Sequence, residues 1–346
     1  MWSLFSPLID EIASAAIGRF FLWRPDHVRR HRSVRPPVLP SFCGDLESFY
    51  STGTSVGEIE WLAPRKPQPD GARMADGHFD SPIRTGYPEN DRVFLRHWSA
   101  TEPELSVIGL GGLVQLGYYW FDGLAAALAA TGVDFWMMDE PFNHCRTPRG
   151  FVPGELIAGA GPVQLIAAVR QAVIDARRLI TILRARGQRV GIVGQSYGGW
   201  LSLLLSILEP DLDFVVALIP MCDLPAWYRS GLPLARAARK RFPDYQKARL
   251  SEILLPVNPI AWKPSVCSKR IELHAATQDR LVLHQSIRDL VRTWNTRIHI
   301  HHRGHYSVFF GNRLRDMVVS SIRAWGMAEA KAASSAFLPS PQTVGT

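Results

Sequence analysis

The sequence is poor in cysteine, and its few cysteines are too far apart to suggest a site. Cys43, Cys145, Cys222 and Cys267 form no CxxC pair and do not have the spacing of a zinc site. No secretory signal precedes them, because the basic residues near the N-terminus follow the apolar stretch instead of leading it. We therefore expect reduced thiols in a cytoplasmic protein, with no metal ion and no cofactor.

The sequence also lacks an internal repeat and any recognisable nucleic-acid-binding module. Its net charge is +8 at pH 7, and much of the excess lies in Arg24, Arg29, Arg30, Arg32 and Arg35. Such a run can face nucleic acid, an anionic membrane or an acidic substrate, although most basic runs are solvated. Because no aromatic residues are interleaved with these arginines, we expect no nucleic-acid partner.

Residues 1–35 combine this basic run with an amphipathic N-terminal stretch. A helix here would place six residues on one face, namely Trp2, Phe5, Ile9, Ile12, Ala16 and Phe20. Such a helix, followed by arginines, can lie in a membrane interface. Packing against the rest of the protein is the commoner outcome, and we predict it. Peripheral membrane contact through residues 1–35 stays the alternative.

From Arg92 onward, short apolar runs alternate with longer helical segments. Seven runs have the length and composition of strands, at residues 93–98, 105–109, 133–139, 189–194, 214–220, 270–276 and 297–302. Continuously apolar strands are typical of a parallel sheet that is covered on both faces. A helix is predicted to begin at Pro162 and to end at Gly187. We predict an α/β domain over residues 36–326 with a mostly parallel central sheet.

Three segments do not follow this alternation. Residues 33–75 are rich in Pro, Gly and Ser and are predicted to be a loop-rich approach to the main domain. Residues 223–264 follow a predicted strand and contain several basic residues and prolines, which favours a helical cap inserted into the domain. Residues 327–346 are small, polar and proline-containing, and we expect a disordered tail.

The charge-free run of residues 190–208 is almost long enough to cross a membrane as one helix. It is interrupted by Gly194-Gln195-Ser196-Tyr197-Gly198, a GxSxG pattern between a predicted strand and a predicted helix. In a nucleophile elbow this pattern holds the serine on a strained turn at the end of a strand. The pentapeptide alone is weak, since a chain this long meets one by chance on the order of one time in ten. Its context gives it weight.

Asp279 and His305, which both follow Ser196 in the chain, are predicted to complete a hydrolytic triad. Asp279 follows the strand at 270–276, and His305 follows the strand at 297–302. The order Ser196, Asp279, His305 is that of α/β hydrolases, in which the imidazole accepts the serine proton and the carboxylate orients the imidazole. Asp279 could instead be a turn or capping residue, and Asp223 is the fallback acid.

The remaining groups of the site are less sharply defined. The glycine-rich turn at residues 108–112 predicts an oxyanion hole that consists of the backbone N–H groups of Leu110 and Tyr197. His299 and His301 share one strand face, and a metal site there can be imagined. Because no cysteine or carboxylate lies near them in the sequence to complete it, we expect none.

These segments resemble the α/β-hydrolase superfamily and, more closely, the group around alpha/beta hydrolase domain-containing protein 18. The resemblance covers roughly residues 15–326 and rests on residues 76–82, 139–148, 194–199 and 303–310. It implies the α/β-hydrolase fold, with Ser196, Asp279 and His305 as the triad. It also implies an acyl ester or a lipid-like molecule as the substrate.

The sequence therefore predicts a serine hydrolase that cleaves a carboxylic ester through an acyl-enzyme. Fold and triad do not dictate the reaction, so a lyase or a cofactor-free oxygenase on the same fold is one alternative. A non-catalytic protein that binds a membrane surface is the other.

Overall fold

The computed structural model describes residues 2–19, 37, 39–51, 57–62, 73–101, 103–243 and 250–336, without the side chains of residues 2–5 and 327–336. The predicted basic run and Phe20 lie outside these residues. Nine strands are described: β1 Glu60–Trp61, β2 Arg73–Asp80, β3 Arg92–Ser99, β4 Leu105–Leu110, β5 Val133–Met138, β6 Arg189–Gln195, β7 Val215–Leu218, β8 Ile271–Ala276 and β9 Arg297–His301. All seven predicted strands are confirmed.

Eleven α-helices are described, namely α1 Trp2–Ile17, α2 Leu46–Tyr50, α3 Tyr119–Ala129, α4 Glu155–Ala158, α5 Pro162–Ala185, α6 Tyr197–Leu208, α7 Leu224–Arg229, α8 Pro233–Arg241, α9 Leu250–Ile253, α10 His284–Trp294 and α11 Arg313–Ala336. Short 3₁₀ helices span His144–Arg146, Leu255–Val257, Pro259–Ala261, Ser268–Arg270 and Ser307–Phe309. Within the described ranges, every helix is too short or too polar to cross a bilayer.

The strands form one sheet in the order β1-β2-β3-β5-β4-β6-β7-β8-β9. From β5 to β9 all neighbours are parallel, whereas β1, β2 and β3 pair antiparallel at one edge. The carboxyl ends of the parallel strands therefore meet at one edge of the sheet, where the loops after β4, β6, β8 and β9 come together.

Helices cover both faces of the sheet. On one face α3 and α11 pack through residues such as Phe121, Leu124 and Val318. On the other face α5, α6 and α10 pack through Val169, Leu204 and Leu290. Helices α7, α8 and α9 lie between β7 and β8, so the helical insertion predicted at residues 223–264 is present. The predicted fold class is confirmed.

Strand β2 and the end of the last helix differ from the sequence-based picture. No strand was predicted at β2. Its first three residues fall in the segment predicted to be rich in loops, and Arg73, Asp76, Gly77 and Asp80 interrupt the apolar pattern of the strand. The strand pairs with β3 near the edge of the sheet, where polar residues are tolerated. Helix α11 continues to Ala336, ten residues into the segment predicted to be disordered, since its alanines favour helix.

Helix α1 packs on the domain, against α8 and the 3₁₀ helix Ser307–Phe309, but not through the predicted face. Its buried side chains are those of Ser6, Asp10 and Ser14. Leu8 and Ile12 are 57% and 62% exposed. The apolar period assumed an apolar partner surface, whereas α1 packs on loop backbone whose buried N–H groups need acceptors. A polar face is therefore turned inward.

Candidate active site

Ser196 lies between β6 and α6 at the carboxyl edge of the sheet. Its backbone has φ 54° and ψ −108°, a conformation that costs a non-glycine residue of order 1–3 kcal/mol. The Ser196 N–H donates to the Leu218 carbonyl at 2.8 Å, which ties the turn to β7. Ser196 is thus held in a strained conformation at a turn between a strand and a helix.

One glycine on each side of Ser196, Gly194 before it and Gly198 after it, makes this turn possible. A Cβ atom at Gly194 would lie 2.2 Å from the Gly198 carbonyl oxygen, and one at Gly198 would lie 2.2 Å from the Leu110 carbonyl oxygen. Real Cβ atoms do not approach backbone so closely. The GxSxG pattern is therefore required by the packing of α6 against β4 and β6.

His305 connects the serine to the aspartate. Its Nε2 lies 2.9 Å from Ser196 Oγ, and its Nδ1 lies 2.7 Å from Asp279 Oδ2. Asp279 is anchored in turn, because its Oδ1 accepts the N–H groups of Leu281 and Val282 at 2.7 and 2.8 Å. The three residues chosen from the sequence therefore form one hydrogen-bonded chain, although they lie on three separate loops.

A fourth residue, Asp10 of α1, holds two of these loops together. Its carboxylate accepts the backbone N–H of Arg280 at 3.2 Å, that of His305 at 2.5 Å and that of Tyr306 at 3.3 Å. Gly304 leaves room for it, since a Cβ there would lie 2.6 Å from Asp10 Oδ2. Sequence reasoning missed this contact, whose one visible sign is a charge inside an apolar stretch.

The ionisation of His305 reflects both carboxylates. Burial lowers its pKa, but the neighbouring carboxylates of Asp279 and Asp10 outweigh burial and raise the pKa above its ordinary value. Burial raises the pKa of the Asp10 carboxyl group, and the N–H groups of His305 and Tyr306 offset part of that rise. The imidazolium form of His305 is thus stabilised by two acids, of which one belongs to α1.

Of the two residues predicted to donate to the oxyanion, Tyr197 lines the cavity at Ser196 and Leu110 does not. Tyr197 is the first residue of α6 and lines the same cavity as Ser196. Leu110 is fully buried inside β4, paired with Met138 on one side and Gly194 on the other, and does not line the cavity. The glycine-rich turn continues two residues beyond the strand, and Gly112, not Leu110, lines the cavity together with Ser196.

Glu140 contacts the backbone of this glycine-rich turn. Its Oε1 accepts the Gly111 N–H, and the side chain is completely buried. Burial raises the pKa of Glu140 to about 8, an effect that the backbone N–H donors only partly offset. Burial thus favours the uncharged form of the carboxyl group that is packed against the turn that carries Gly112.

A cavity of about 260 Å³ opens above Ser196 and His305. Its walls are largely apolar, and the cap contributes part of them, including Trp227, Leu234, Phe242 and Leu254. Leu113 and Ile157 also line the cavity. Its volume is slightly below the range usual for sites that bind drug-sized ligands. The space fits an apolar chain attached to a polar group at the serine.

The fallback acid, Asp223, has a structural position. Its Oδ1 accepts the Ala226 N–H at 3.0 Å and caps the N-terminus of α7. Arg146, from the segment 139–148 on which the resemblance rests, is also structural. It is fully buried, forms an ion pair with Asp175 at 2.9 Å and donates to the Asn90 carbonyl. This segment therefore stabilises the domain.

Two groups of side chains in the described ranges have the composition of a metal site. One comprises Asp139, His144 and Cys145, and the other comprises Glu272, His274 and His299. In the first group hydrogen bonds already occupy Asp139, whose carboxylate accepts the Tyr118 hydroxyl at 2.6 Å and the Cys145 N–H at 3.0 Å. The Asp139 carboxylate accordingly raises the pKa of His144 to about 10.

Comparison with solved structures shows the same architecture in esterases. Acetyl xylan esterase 1 from Thermoanaerobacterium sp. JW/SL YS485 matches 87% of this chain and 98% of its own, with a TM-score of 0.59 and 17% identity. The acetyl xylan esterase from Paenibacillus sp. R4 matches 76% of this chain and 88% of its own, with a TM-score of 0.56 and 14% identity. The chain has the α/β-hydrolase fold. At these identities the likeness concerns the fold alone.

Similarity in sequence is more limited. No protein-family model matches the chain. The uncharacterized protein Rv2627c from Mycobacterium tuberculosis (strain ATCC 25618 / H37Rv) is 25% identical over 192 residues, which are 54% of this chain and 46% of that protein. The chain thus spans about half the length of this curated relative.

Proposed function

We propose that this chain is a serine hydrolase that cleaves a carboxylic ester through an acyl-enzyme intermediate. One observation carries the proposal. His305 is hydrogen-bonded to both Ser196 and Asp279, at the floor of an apolar cavity. The esterases that share the fold support ester hydrolysis as the general class of reaction.

The residues would divide the work as follows. His305 Nε2 accepts the Ser196 proton while Oγ attacks the ester carbonyl, and Asp279 stabilises the imidazolium that forms. The N–H groups of Tyr197 and Gly112 stabilise the oxyanion, and loss of one such donor typically costs about 3 kcal/mol of barrier. His305 then protonates the leaving alcohol. In the second half of the reaction His305 takes a proton from the water that attacks the acyl-enzyme, and it returns that proton to Ser196 Oγ as the carboxylic acid leaves.

Both the size and the apolar walls of the cavity favour a short or medium acyl chain. The cap residues Trp227, Leu234 and Phe242 contact the region that the chain would occupy. We also propose that this chain belongs to the group around alpha/beta hydrolase domain-containing protein 18, because residues 76–82 and 303–310 resemble segments of that group. The four cysteines are unpaired, which fits a reducing compartment such as the cytoplasm.

A panel of 4-nitrophenyl esters from two to sixteen carbons tests this proposal, together with a fluorophosphonate probe. We expect turnover of the shorter esters and a single covalent adduct, mapped to Ser196 by mass spectrometry of the digested protein. A folded protein that takes up no probe and hydrolyses no ester would contradict it. Probe labelling without turnover of any ester would favour a lyase or an oxygenase.

The same panel addresses peripheral membrane contact, which we retain as part of the proposal. Leu8 and Ile12 point away from the domain on α1, as an interfacial helix requires. Removing residues 1–35 would not test this contact, because it also removes Asp10 from the triad loops. The double variant Leu8→Gln, Ile12→Gln keeps Asp10. We expect it to abolish any stimulation by anionic vesicles and to leave the activity without vesicles unchanged.

Replacing Asp10 with asparagine tests its role as a positioning residue. The amide side chain keeps one acceptor but loses the charge that raises the pKa of His305. Since His305 must be neutral to accept a proton, activity rises with pH through its pKa. We therefore expect the inflection of kcat/KM to move to lower pH. We also expect a lower kcat with little change in KM, because Asp10 does not line the cavity.

Glu11 provides the control for this prediction. It is the neighbouring acid on the exposed side of α1, 3.9 Å from Arg280 Nε, and Glu11→Gln should leave the pH profile of the wild type intact. If Asp10→Asn and Glu11→Gln behaved alike, the contact of Asp10 with the loops would have no role in catalysis.

A further inference from the structure

Strands β8 and β9 carry a second group of ionisable side chains, separate from the proposed triad. The two strands are parallel, with His274 opposite His299 and Glu272 opposite Arg297. Because side chains alternate along a strand, those of Glu272, His274 and His299 lie on one face of the sheet. His301 lies on the same face, two residues beyond His299. The proposed reaction uses none of them.

The distances within this group are short. Glu272 Oε1 lies 3.0 Å from His274 Nε2, and Glu272 Oε2 lies 3.4 Å from His299 Nε2. One potential ligand atom from each of these three residues lies within 4.8 Å of the others. Glu272 and His274 have no exposed surface, whereas the His299 side chain is 32% exposed. The group is thus largely buried, and the His299 side chain is its partly exposed member.

Hydrogen bonds account for most of this group, but not for all of it. Ser321 Oγ donates to the Glu272 carboxylate at 2.9 Å, and His274 Nδ1 lies 2.9 Å from His301 Nε2. His299 Nε2, in contrast, is a buried atom that forms no hydrogen bond with the residues of the described ranges, although Glu272 Oε2 lies 3.4 Å from it. A buried polar atom without a partner is costly and calls for an explanation.

We propose that Glu272, His274 and His299 bind a zinc ion that cross-links β8 and β9. Two imidazoles and one carboxylate are a donor set that zinc uses. Zinc lies about 2.0–2.1 Å from such ligands, so tetrahedral geometry sets neighbouring ligand atoms roughly 3.3 Å apart. Each imidazole lies near this distance from one oxygen of the Glu272 carboxylate, His274 Nε2 at 3.0 Å from Oε1 and His299 Nε2 at 3.4 Å from Oε2, and the three ligand atoms lie within 4.8 Å of one another. A bound ion would also satisfy His299 Nε2.

Neighbouring residues fit this assignment. Histidines that bind a metal usually hydrogen-bond a second group through their other ring nitrogen, which fixes the ring. His301 provides that contact to His274 Nδ1. Three protein ligands would leave one position of a tetrahedral site for a water molecule. Arg297 Nη1, 3.5 Å from Glu272 Oε2, is the competing cation, and its side chain is 58% exposed and can move away.

Zinc titration of the full chain, stripped with a chelator and desalted, tests this proposal. We expect isothermal titration calorimetry to give one zinc per chain and zinc, but not magnesium, to raise the unfolding temperature. His299→Gln removes one of three ligands and should weaken binding at least 100-fold. Arg297→Gln removes the competing charge and should tighten it. His301→Gln alters only the supporting contact and should weaken binding about 10- to 100-fold.

The other candidate group supplies the matched control. Cys145→Ser removes a ligand from the Asp139, His144 and Cys145 group, and we expect it to bind zinc as tightly as the wild type. Binding that is lost in Cys145→Ser but retained in His299→Gln would overturn the proposal. So would a folded wild-type chain that binds no zinc at micromolar concentrations.

Discussion

Ser196→Ala is expected to reduce ester hydrolysis on the order of 10⁴-fold or more and to abolish labelling by a fluorophosphonate. The reason is local, because Oγ is the atom that contacts His305 Nε2 at 2.9 Å, and alanine leaves that base with no nucleophile to activate. Steady-state rates and probe labelling measure the loss.

The substitution should leave the fold intact. Alanine occupies the same strained backbone conformation as serine, and the backbone N–H at this position still donates to Leu218, so the unfolding temperature should change little. Ser206→Ala is the control. Ser206 is buried in α6, the helix that follows Ser196, and its hydroxyl donates to the Leu203 carbonyl. Equal activity in Ser196→Ala and Ser206→Ala would remove Ser196 from the mechanism.

Asp279→Asn is expected to have the next largest effect, a fall in kcat of about 10³- to 10⁴-fold. The asparagine side chain keeps the oxygen that accepts the Leu281 and Val282 N–H groups, so the loop should hold its conformation. Its amide, however, presents N–H groups where Oδ2 met His305 Nδ1. The imidazole would then adopt the wrong tautomer and lose the charge that stabilises the imidazolium.

Asp223→Asn separates this effect from a general loss of acidic residues. Asp223 caps α7, and asparagine caps helices as well as aspartate does. We expect this variant to retain wild-type activity and stability. A loss of activity in Asp223→Asn that matched the loss in Asp279→Asn would make Asp223 the acid of the site.

The fold was predictable because its signals are local. Most of the parallel strands are short, largely apolar runs, and Ser196, Asp279 and His305 each follow a strand. The parallel sheet then brings these loops to one edge, so chain order alone predicted that Ser196, Asp279 and His305 would meet. The exact turn position was less predictable, because the glycine-rich segment fits several registers, and Gly112 lies two residues beyond the predicted Leu110.

Contacts between distant segments were not predictable from the pattern. Asp10 looked like an interruption of an apolar helix face, because its partners are backbone groups that the sequence does not identify. His299 and His301 were judged to lack a carboxylate, because Glu272 lies more than twenty residues earlier. Only the register of β8 against β9 places Glu272 beside His299.

The contact between Asp10 and Gly304 has a consequence for related chains. The two positions share one small volume, in which a Cβ atom at residue 304 would force the Asp10 carboxylate to shift away from the loop N–H groups. We therefore expect a relative that retains the N-terminal helix and its aspartate to keep glycine before the histidine, whereas one that lacks the helix can carry a larger residue there. An aspartate at position 10 together with a glycine at position 304 would therefore indicate, from sequence alone, that the N-terminal helix of a relative contacts the loop of its catalytic histidine.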